Sequence, residues 1–108
     1  MNRYRILYSK TAIEDLKDIA SYLYSLTLNK SIASQKIKTI RKAIDYLADF
    51  PYSCPEYEFE AFKDSKFRFL TAANYNALYS VNDELETVTI VRVYYGKRDP
   101  NKIAYNQA

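Results

Sequence analysis

The chain of 108 residues is 48% apolar and 27% charged with a net charge of +3, as expected for one globular domain spanning residues 1–108. The absence of histidine excludes Ser-His-Asp triads, Cys-His dyads and HExxH zinc sites. One cysteine and one glycine exclude internal disulfides, four-cysteine metal sites and glycine-rich phosphate-binding loops, so we expect no metal and no cofactor.

A short strand over residues 4–8 is followed by two predicted amphipathic helices. Ser9, or Thr11 in a capping-box spacing with Glu14, is the predicted N-cap of the first helix. The break at residues 29–31 is short enough to make the two helices antiparallel. The apolar positions repeat every three or four residues, the period of a helix with one buried face. They are Ile13, Leu16, Ile19, Ala20, Leu23 and Leu26 in the first helix, and Ala33, Ile37, Ile40, Ile44 and Leu47 in the second.

The second half of the chain is predicted to be a loop followed by three strands. Residues 51–66 contain prolines and glutamates without a clear period, which indicates the loop; the strands cover residues 67–71, 75–81 and 86–95. The last strand is apolar on both faces, so we place it inside the sheet. The order β-α-α-β-β-β predicts an α+β fold, with a helical hairpin on one face of a mainly antiparallel, twisted sheet and less covering the other face.

The charge distribution indicates a partner surface near the C-terminal end. Residues 51–87 contain three basic and seven acidic side chains, whereas residues 88–108 contain four basic and one acidic. A basic end of this kind suits an anionic or nucleoprotein partner. The sequence shows no signal-peptide pattern and no run of about 20 apolar residues, so we expect a cytoplasmic protein.

Three segments, taken in order, carry a resemblance to a known family. They are Tyr8-Ser9-x-x-Ala12-x-x-Asp15-Leu16, Tyr75-x-x-Leu78-Tyr79-Ser80-Val81 and Ile90-Val91-Arg92-Val93-Tyr94-Tyr95-Gly96-Lys97-Arg98-Asp99-Pro100. Over nearly its whole length the chain resembles the RelE/ParE superfamily, the toxins of bacterial type II toxin–antitoxin modules. The resemblance implies a growth-inhibiting toxin with a role in plasmid stabilisation, neutralised by a small acidic antitoxin in a toxin–antitoxin hetero-oligomer.

The family divides by target, and the two branches imply different chemistry. The RelE-like branch comprises ribosome-dependent mRNA endonucleases, in which lysine and arginine side chains neutralise the scissile phosphate and a terminal tyrosine assists. The ParE-like branch poisons DNA gyrase and has no recognised catalytic set. Under the nuclease interpretation, the resemblance places Arg98, Tyr105 and Arg68 in the catalytic set.

Departures from the nuclease pattern favour the ParE-like branch. Phe67 and Phe69 hold the places of the paired lysines, and Lys66 and Arg68 are offset by one residue. An offset of one residue in a strand turns a side chain to the opposite face of the sheet. Asn76 stands where the nucleases have an arginine, and an amide cannot neutralise a phosphate. We therefore favour inhibition of DNA gyrase over ribosome-dependent mRNA cleavage.

The candidate residues for contact with the target or partner are Tyr95, Lys97, Arg98, Lys66 and Arg68. Each also has a structural interpretation, such as an internal ion pair for Arg68. Two other hypotheses stay open: a non-toxic nucleic-acid or protein-binding module, and an inactivated family member.

Arg92 and five tyrosines carry structural expectations. Arg92 is expected to pair with Glu86 or Asp15, and Tyr105 to make a packing or partner contact. The side chains of Tyr94 and Tyr95 are expected on opposite faces of their strand, one in the core and the other at the site. Tyr75 and Tyr79 are expected in the core.

Overall fold

The computed structural model describes residues 3–57 and 66–98. Its elements are β1 (Arg5–Tyr8), α1 (Lys10–Thr27), α2 (Lys30–Asp45), a 3₁₀ turn (Tyr46–Ala48), β2 (Glu56–Tyr57), β3 (Phe67–Ala72), β4 (Tyr75–Asn82) and β5 (Thr87–Tyr95). The predicted α+β order is confirmed, with β2 in addition. The prediction of a loop throughout residues 51–66 was wrong for β2, because a strand of two residues has no alternation to detect.

The five strands of the described chain form one sheet in the order β1-β5-β4-β3-β2. Only the β1–β5 pair is parallel among these strands, so the sheet is mainly antiparallel, as predicted. β5 lies between β1 and β4, which explains why it is apolar on both faces. β1 ends at Tyr8, opposite Ile90, and the rest of β5 extends beyond it.

The main core lies between the helical hairpin and one face of the sheet. Ile40, Ile44 and Leu47 from the second helix and the turn after it meet Tyr79 of β4 and Ile90 of β5, and all of them are buried. A smaller cluster occupies the opposite face of the sheet, which is the face predicted to be less covered. It consists of the buried Leu78 and Tyr94, with Tyr57 and Phe67 packed against them.

The buried stripe of α1 is narrower than its apolar pattern predicts. Ala12 and Ile19 are buried, whereas Ile13 and Leu26 are 44% and 62% exposed, so their prediction as core residues was wrong. The stripe that packs on the core follows Ala12, Leu16, Ile19 and Leu23. Ile13 and Leu26 lie beside that stripe on the helical surface, because successive residues are about 100° apart around an α-helix.

Leu28 ends α1 in an unfavourable conformation. Its N–H donates to the Tyr24 carbonyl at 2.7 Å, its φ is 52°, and its side chain is 79% exposed. The left-handed region costs a residue with a Cβ about 1–2 kcal/mol, and glycine is the usual residue at this helix position.

Leu28→Gly is expected to raise the free energy of unfolding by about 0.5–1 kcal/mol, measured by urea denaturation. The gain is less than the full strain because glycine also increases the entropy of the unfolded chain. The matched control is Lys17→Gly in the middle of α1, expected to lower stability by about 1 kcal/mol. A Leu28→Gly variant less stable than the native protein would contradict the assigned strain.

Candidate functional site

The end of β5 that extends past β1 is fixed by polar side chains from the start of α1. Ser9 caps the helix by accepting the Ala12 N–H at 3.0 Å, and its hydroxyl donates to the Val91 carbonyl at 2.8 Å. The N-cap is therefore Ser9 and not Thr11. The fully buried Ala12 lets the first turn of α1 approach the sheet closely.

Asp15 continues this attachment one turn further along α1. Its carboxylate accepts two bonds from Arg92, from Nε at 2.7 Å and from Nη2 at 2.9 Å, and a third from the Val93 N–H at 3.0 Å. The two side chains are 16% and 12% exposed, so the pair is mostly shielded from water. Of the two partners predicted for Arg92, the structure selects Asp15. The first family-like segment therefore holds α1 against β5.

A groove of about 740 Å³ opens beside this attachment, and we call it the β5-end groove. It lies between the second half of α1 and the ends of the β-strands. Its lining includes Tyr22, Leu26, Lys36, Tyr75, Tyr95 and Arg98. The rings of Tyr75 and Tyr95 meet edge to face with centroids 5.8 Å apart. Tyr95 is 42% exposed and lines the groove, whereas Tyr94 is buried in the Leu78–Tyr94 cluster.

A tight turn after β5 carries the predicted basic pair, and Arg98 of this pair lines the groove. The Gly96 N–H donates to the Asn74 carbonyl at 2.9 Å, and the Arg98 N–H donates to the Tyr95 carbonyl at 3.0 Å. A Cβ on Gly96 would lie 3.2 Å from the Asn74 oxygen, a tight contact that a glycine avoids. Lys97 and Arg98 are exposed, and within residues 3–57 and 66–98 neither forms an ion pair.

Arg68 lies in a different place and is held by its surroundings. Its guanidinium donates to the Cys54 carbonyl, pairs with Glu56 at 3.2 Å and lies 4.9 Å from the centre of the Tyr52 ring. Its side chain is only 19% exposed. The structural interpretation of Arg68 as an ion-paired residue agrees with these contacts.

The candidate residues therefore form two separate sets. Arg68 pairs with Tyr79 on β4, whereas Tyr95 pairs with Tyr75, four residues away along the same strand. This spacing corresponds to about 13 Å of extended chain. Lys66, which is exposed, belongs with Arg68 just before β3. The structure brings together Tyr95, Lys97 and Arg98, whereas Tyr105 lies outside the described residues.

The positions that hold cations in the nuclease pattern are occupied by an aromatic and amide cluster. Phe67 packs against the Leu78–Tyr94 cluster, and Phe69 meets Tyr57 edge to face at 6.1 Å. Asn76 is buried, and its Oδ1 accepts a 2.7 Å bond from the Thr71 hydroxyl. Burial raises the pKa of Tyr94, and a hydrogen bond with Asn76 partly opposes that shift. Asn76 therefore contributes to the internal packing of this face.

Sequence analysis missed a hydrogen-bonded cluster at the opposite end of the sheet from the β5-end groove. Asp83, in the turn between β4 and β5, accepts the hydroxyls of Tyr4 at 2.7 Å and Tyr52 at 2.5 Å. These bonds lower the pKa of the Asp83 carboxyl and raise the pKa of Tyr4 to about 12. Tyr52 also stacks on Arg68, so the cluster joins the N-terminal segment to the loop before β2. No residue spacing in the sequence links these positions.

Stability is expected to be lost at alkaline pH. Burial raises the pKa of Tyr79, and its hydroxyl donates to the Pro51 carbonyl at 3.0 Å. A phenol whose pKa is higher in the folded protein contributes its full stabilisation below pH about 10, the pKa of the phenol in the unfolded chain. This contribution declines as the pH rises toward the pKa of the phenol in the folded protein. In urea denaturation between pH 9 and 11.5, Tyr79→Phe should flatten this decline by up to about 1.4 kcal/mol per pH unit. Identical slopes would contradict the assignment, and Tyr46→Phe, at an exposed tyrosine, is the control.

The described ranges contain neither a cluster of metal ligands nor a helix that could cross a membrane. No group of three or more histidine, cysteine, aspartate or glutamate side chains there is arranged to hold a metal ion. Among the helices of residues 3–57 and 66–98, none combines the length and apolarity required to cross a membrane.

The match to a family model assigns the chain to the toxins of type II toxin–antitoxin systems. The model of the family described as "ParE toxin of type II toxin-antitoxin system, parDE" matches residues 6–100, and the chain belongs to this family. Comparison of the sequence with curated proteins gives no significant match.

Solved structures of related toxins share the fold. A chain of the chromosomal ParDE system from P. aeruginosa is similar with a TM-score of 0.67 and 16% identity, covering 86% of this chain and 96% of that one. The toxin–antitoxin complex RelBE2 from Mycobacterium tuberculosis gives a TM-score of 0.59, 20% identity, and coverage of 86% and 98%. A mutant of E. coli toxin RelE in the free state gives 0.57, 15% identity, and coverage of 98% and 94%.

Proposed function

We propose that this toxin arrests growth by binding DNA gyrase without cutting RNA, and that a cognate acidic antitoxin neutralises it. The contact surface is the end of β5, where Tyr95, Lys97 and Arg98 lie beside the β5-end groove. Two exposed cations next to exposed aromatic rings suit an interface with an anionic partner, since arginine and tyrosine are enriched among the residues that dominate binding energy.

The observation that carries the choice of a non-nucleolytic mechanism is the buried Asn76. At the position where the resemblance places a phosphate-binding arginine, this chain has a buried neutral amide that is bonded to Thr71 and lies opposite Tyr94 on the neighbouring strand. Phe67 and Phe69 supply apolar surface where paired lysines are expected. Cleavage by an RNA 2′-hydroxyl builds up negative charge on the phosphate, and this face offers no compensating cation at those three positions.

Ribosome-dependent mRNA cleavage is the second candidate, because Arg98 is retained and exposed. The matching family model is that of the ParE toxin, and gyrase is the target that the resemblance implies for the ParE-like branch. The antitoxin is proposed because the similar RelBE2 structure is a toxin–antitoxin complex.

The two candidates are separated by testing one purified toxin preparation in two assays. In the first, gyrase supercoils relaxed plasmid with increasing toxin; in the second, ribosomes translate a defined mRNA whose ends are mapped. We expect loss of supercoiling and intact mRNA, together with growth arrest when the toxin is induced alone. Codon-aligned cuts in the mRNA with normal gyrase activity would overturn the proposal in favour of the nuclease. Normal growth and no effect in either assay would indicate an inactivated member.

A further inference from the structure

The end of the molecule that contains the Asp83 cluster exposes three aromatic side chains. Tyr46, Phe50 and Tyr52 are 55%, 45% and 50% exposed. Among the residues that the structure describes, Phe50 is the only exposed phenylalanine. Single exposed apolar side chains are ordinary, but a group of them rimmed by polar residues is typical of an interaction surface.

The 3₁₀ turn after α2 directs two of these rings outward. Leu47 and Ala48 are buried and anchor the turn, and the Phe50 N–H donates to the Tyr46 carbonyl at 3.2 Å. Residues four apart in a turn of this kind lie on the same side. The rings of Tyr46 and Phe50 stack with centroids 4.7 Å apart and planes inclined by 26°. The two rings therefore form one fixed aromatic surface.

Hydrogen bonds join this aromatic pair to the turn between β4 and β5. The Tyr4 N–H donates to the Ala48 carbonyl at 2.8 Å, and the Tyr4 hydroxyl donates to Asp83. Asp83 also accepts the hydroxyl of Tyr52. Three segments that are distant in the chain thus meet in one surface, which we call the acidic aromatic end. It consists of Tyr46, Phe50, Tyr52 and the turn at residues 82–86.

The charge of the acidic aromatic end is opposite to that of the chain as a whole. Residues 44–57 and 82–86 contain six acidic side chains and no basic one, whereas the chain has a net charge of +3. Arg3 pairs with Asp49 at 3.0 Å, and Arg68 pairs with Glu56 at 3.2 Å. The other four acidic side chains form no ion pair within residues 3–57 and 66–98; they are Asp45, Asp83, Glu84 and Glu86.

The carboxylate of Asp83 is held in its charged form. The two phenol hydroxyls that donate to it lower the pKa of this carboxyl below its ordinary value. Glu84, the next residue, is exposed. A fixed negative charge and an exposed one therefore lie beside the aromatic rings, and such a surface attracts a cationic partner.

The protein itself contains the contact that such a surface can make. The Arg68 guanidinium lies 4.9 Å from the centre of the Tyr52 ring while it pairs with Glu56. Arginine satisfies rings and carboxylates together, because its planar guanidinium stacks on an aromatic face and its N–H groups bond to carboxylate oxygens. Lysine supplies the charge without the planar surface.

Other occupants match only one of the two features. A nucleic acid or an acidic segment is repelled by the carboxylates, although its other groups could contact the rings. An apolar helix would cover the rings but would shield the carboxylates from water without giving them a partner. A second copy offers Lys97 and Arg98, but these lie at its other end, so the copies would join head to tail into rings or filaments.

We propose that the acidic aromatic end binds an arginine-rich segment of a partner protein. This surface is separate from the β5-end groove. Tyr75 at the start of β4 lines that groove, whereas the acidic turn follows Asn82 at the other end of β4, about 23 Å away along the extended strand. The proposal goes beyond the proposed function and does not depend on which target the toxin inhibits.

Fluorescence anisotropy with the full-length protein tests this site with three labelled peptides. Each peptide has four charged residues separated by glycines; the charged residue is arginine in the first, lysine in the second and glutamate in the third. We expect the arginine peptide to bind at least about threefold more tightly than the lysine peptide, because only arginine stacks on the rings. It should bind at least about tenfold more tightly than the glutamate peptide.

Substitutions separate the contribution of the rings from that of the charge. Phe50→Ser should weaken binding of the arginine peptide about threefold and remove its advantage over the lysine peptide. Glu84→Lys should weaken both peptides by a similar factor of about fivefold or more. The matched controls change an exposed ring and an exposed carboxylate of α1, and each should alter affinity less than about twofold. They are Tyr24→Ser and Glu14→Lys.

Each variant is measured after its circular dichroism and melting curve show that it is folded, and Tyr46→Ser replaces Phe50→Ser if the latter fails to fold. Equal binding of the arginine and lysine peptides, or equal effects of Glu84→Lys and Glu14→Lys, would overturn the proposal. Self-association in sedimentation velocity that Glu84→Lys abolishes would also overturn it and indicate a second copy as the occupant. These outcomes are independent of the gyrase and ribosome assays, so this proposal and the proposed function fail separately.

Discussion

Arg98→Glu is expected to weaken inhibition of gyrase by about 30-fold or more while leaving the folded protein intact. The guanidinium is exposed beside the β5-end groove and, within the described residues, is in no ion pair, so its removal leaves no internal charge unpaired. Reversing a charge in a contact surface also adds repulsion against an anionic partner. The measurement is the toxin concentration that halves supercoiling, together with the melting temperature.

The matched control is Arg5→Glu, the same substitution at an exposed position on β1, opposite Thr87 at the start of β5 and therefore away from the end of that strand. It should leave inhibition within about twofold of the native value. Arg98→Lys should retain part of the activity, because the charge stays but the planar fork of donors is lost. If Arg98→Glu and Arg5→Glu inhibited gyrase equally well, the end of β5 would not be the contact surface.

Asp15→Asn is expected to have the largest effect on stability, lowering the free energy of unfolding by about 3 kcal/mol. The substitution is isosteric, but it leaves the Arg92 guanidinium mostly shielded from water without its carboxylate partner. It also weakens the bond that the Val93 N–H donates to the same carboxylate. Urea denaturation at neutral pH measures the loss.

Two further variants identify the origin of that loss. Asp18→Asn removes an exposed carboxylate one turn away and should change stability by less than about 0.5 kcal/mol. Combining Asp15→Asn with Arg92→Met removes both charges, so the double variant should be more stable than the sum of the single effects by about 2 kcal/mol. Strictly additive effects would show that the pair contributes nothing beyond its separate side chains.

The sequence predicts the layered fold because the spacing of apolar residues along a helix or a strand indicates which of its faces is buried. The stripe from Ala33 to Leu47 and the doubly apolar β5 are each buried as their patterns require. The same reasoning fails at Ile13. An apolar stripe on a helix indicates that this face of the helix is covered, but it does not indicate what packs against each position of the stripe. β2 is missed because its two residues are ordered by pairing with β3, a contact that lies outside its own sequence.

The sequence predicts only part of the candidate site. The other part depends on contacts between residues that are far apart in the chain. Lys97 and Arg98 are adjacent in the chain and follow the end of a strand. Their exposure can therefore be predicted from the local sequence. Arg68 lies in a strand that the local sequence pattern predicts. The Cys54 carbonyl and the Tyr52 ring that hold its side chain belong to a segment without periodicity, so the sequence does not predict these contacts. The Asp83 cluster joins residues 31 and 79 positions apart, which no motif connects.

We propose that the end of β5 is the surface through which this toxin contacts gyrase. Hydrogen–deuterium exchange of the toxin, alone and with excess gyrase, tests it without any substitution. We expect slower exchange for the amides from Val93 to Arg98 and for the neighbouring turn at residues 73–74, while the amides of Arg5–Tyr8 are unchanged. Protection confined to β1, β2 or β3, with residues 93–98 exchanging as in the free toxin, would contradict it.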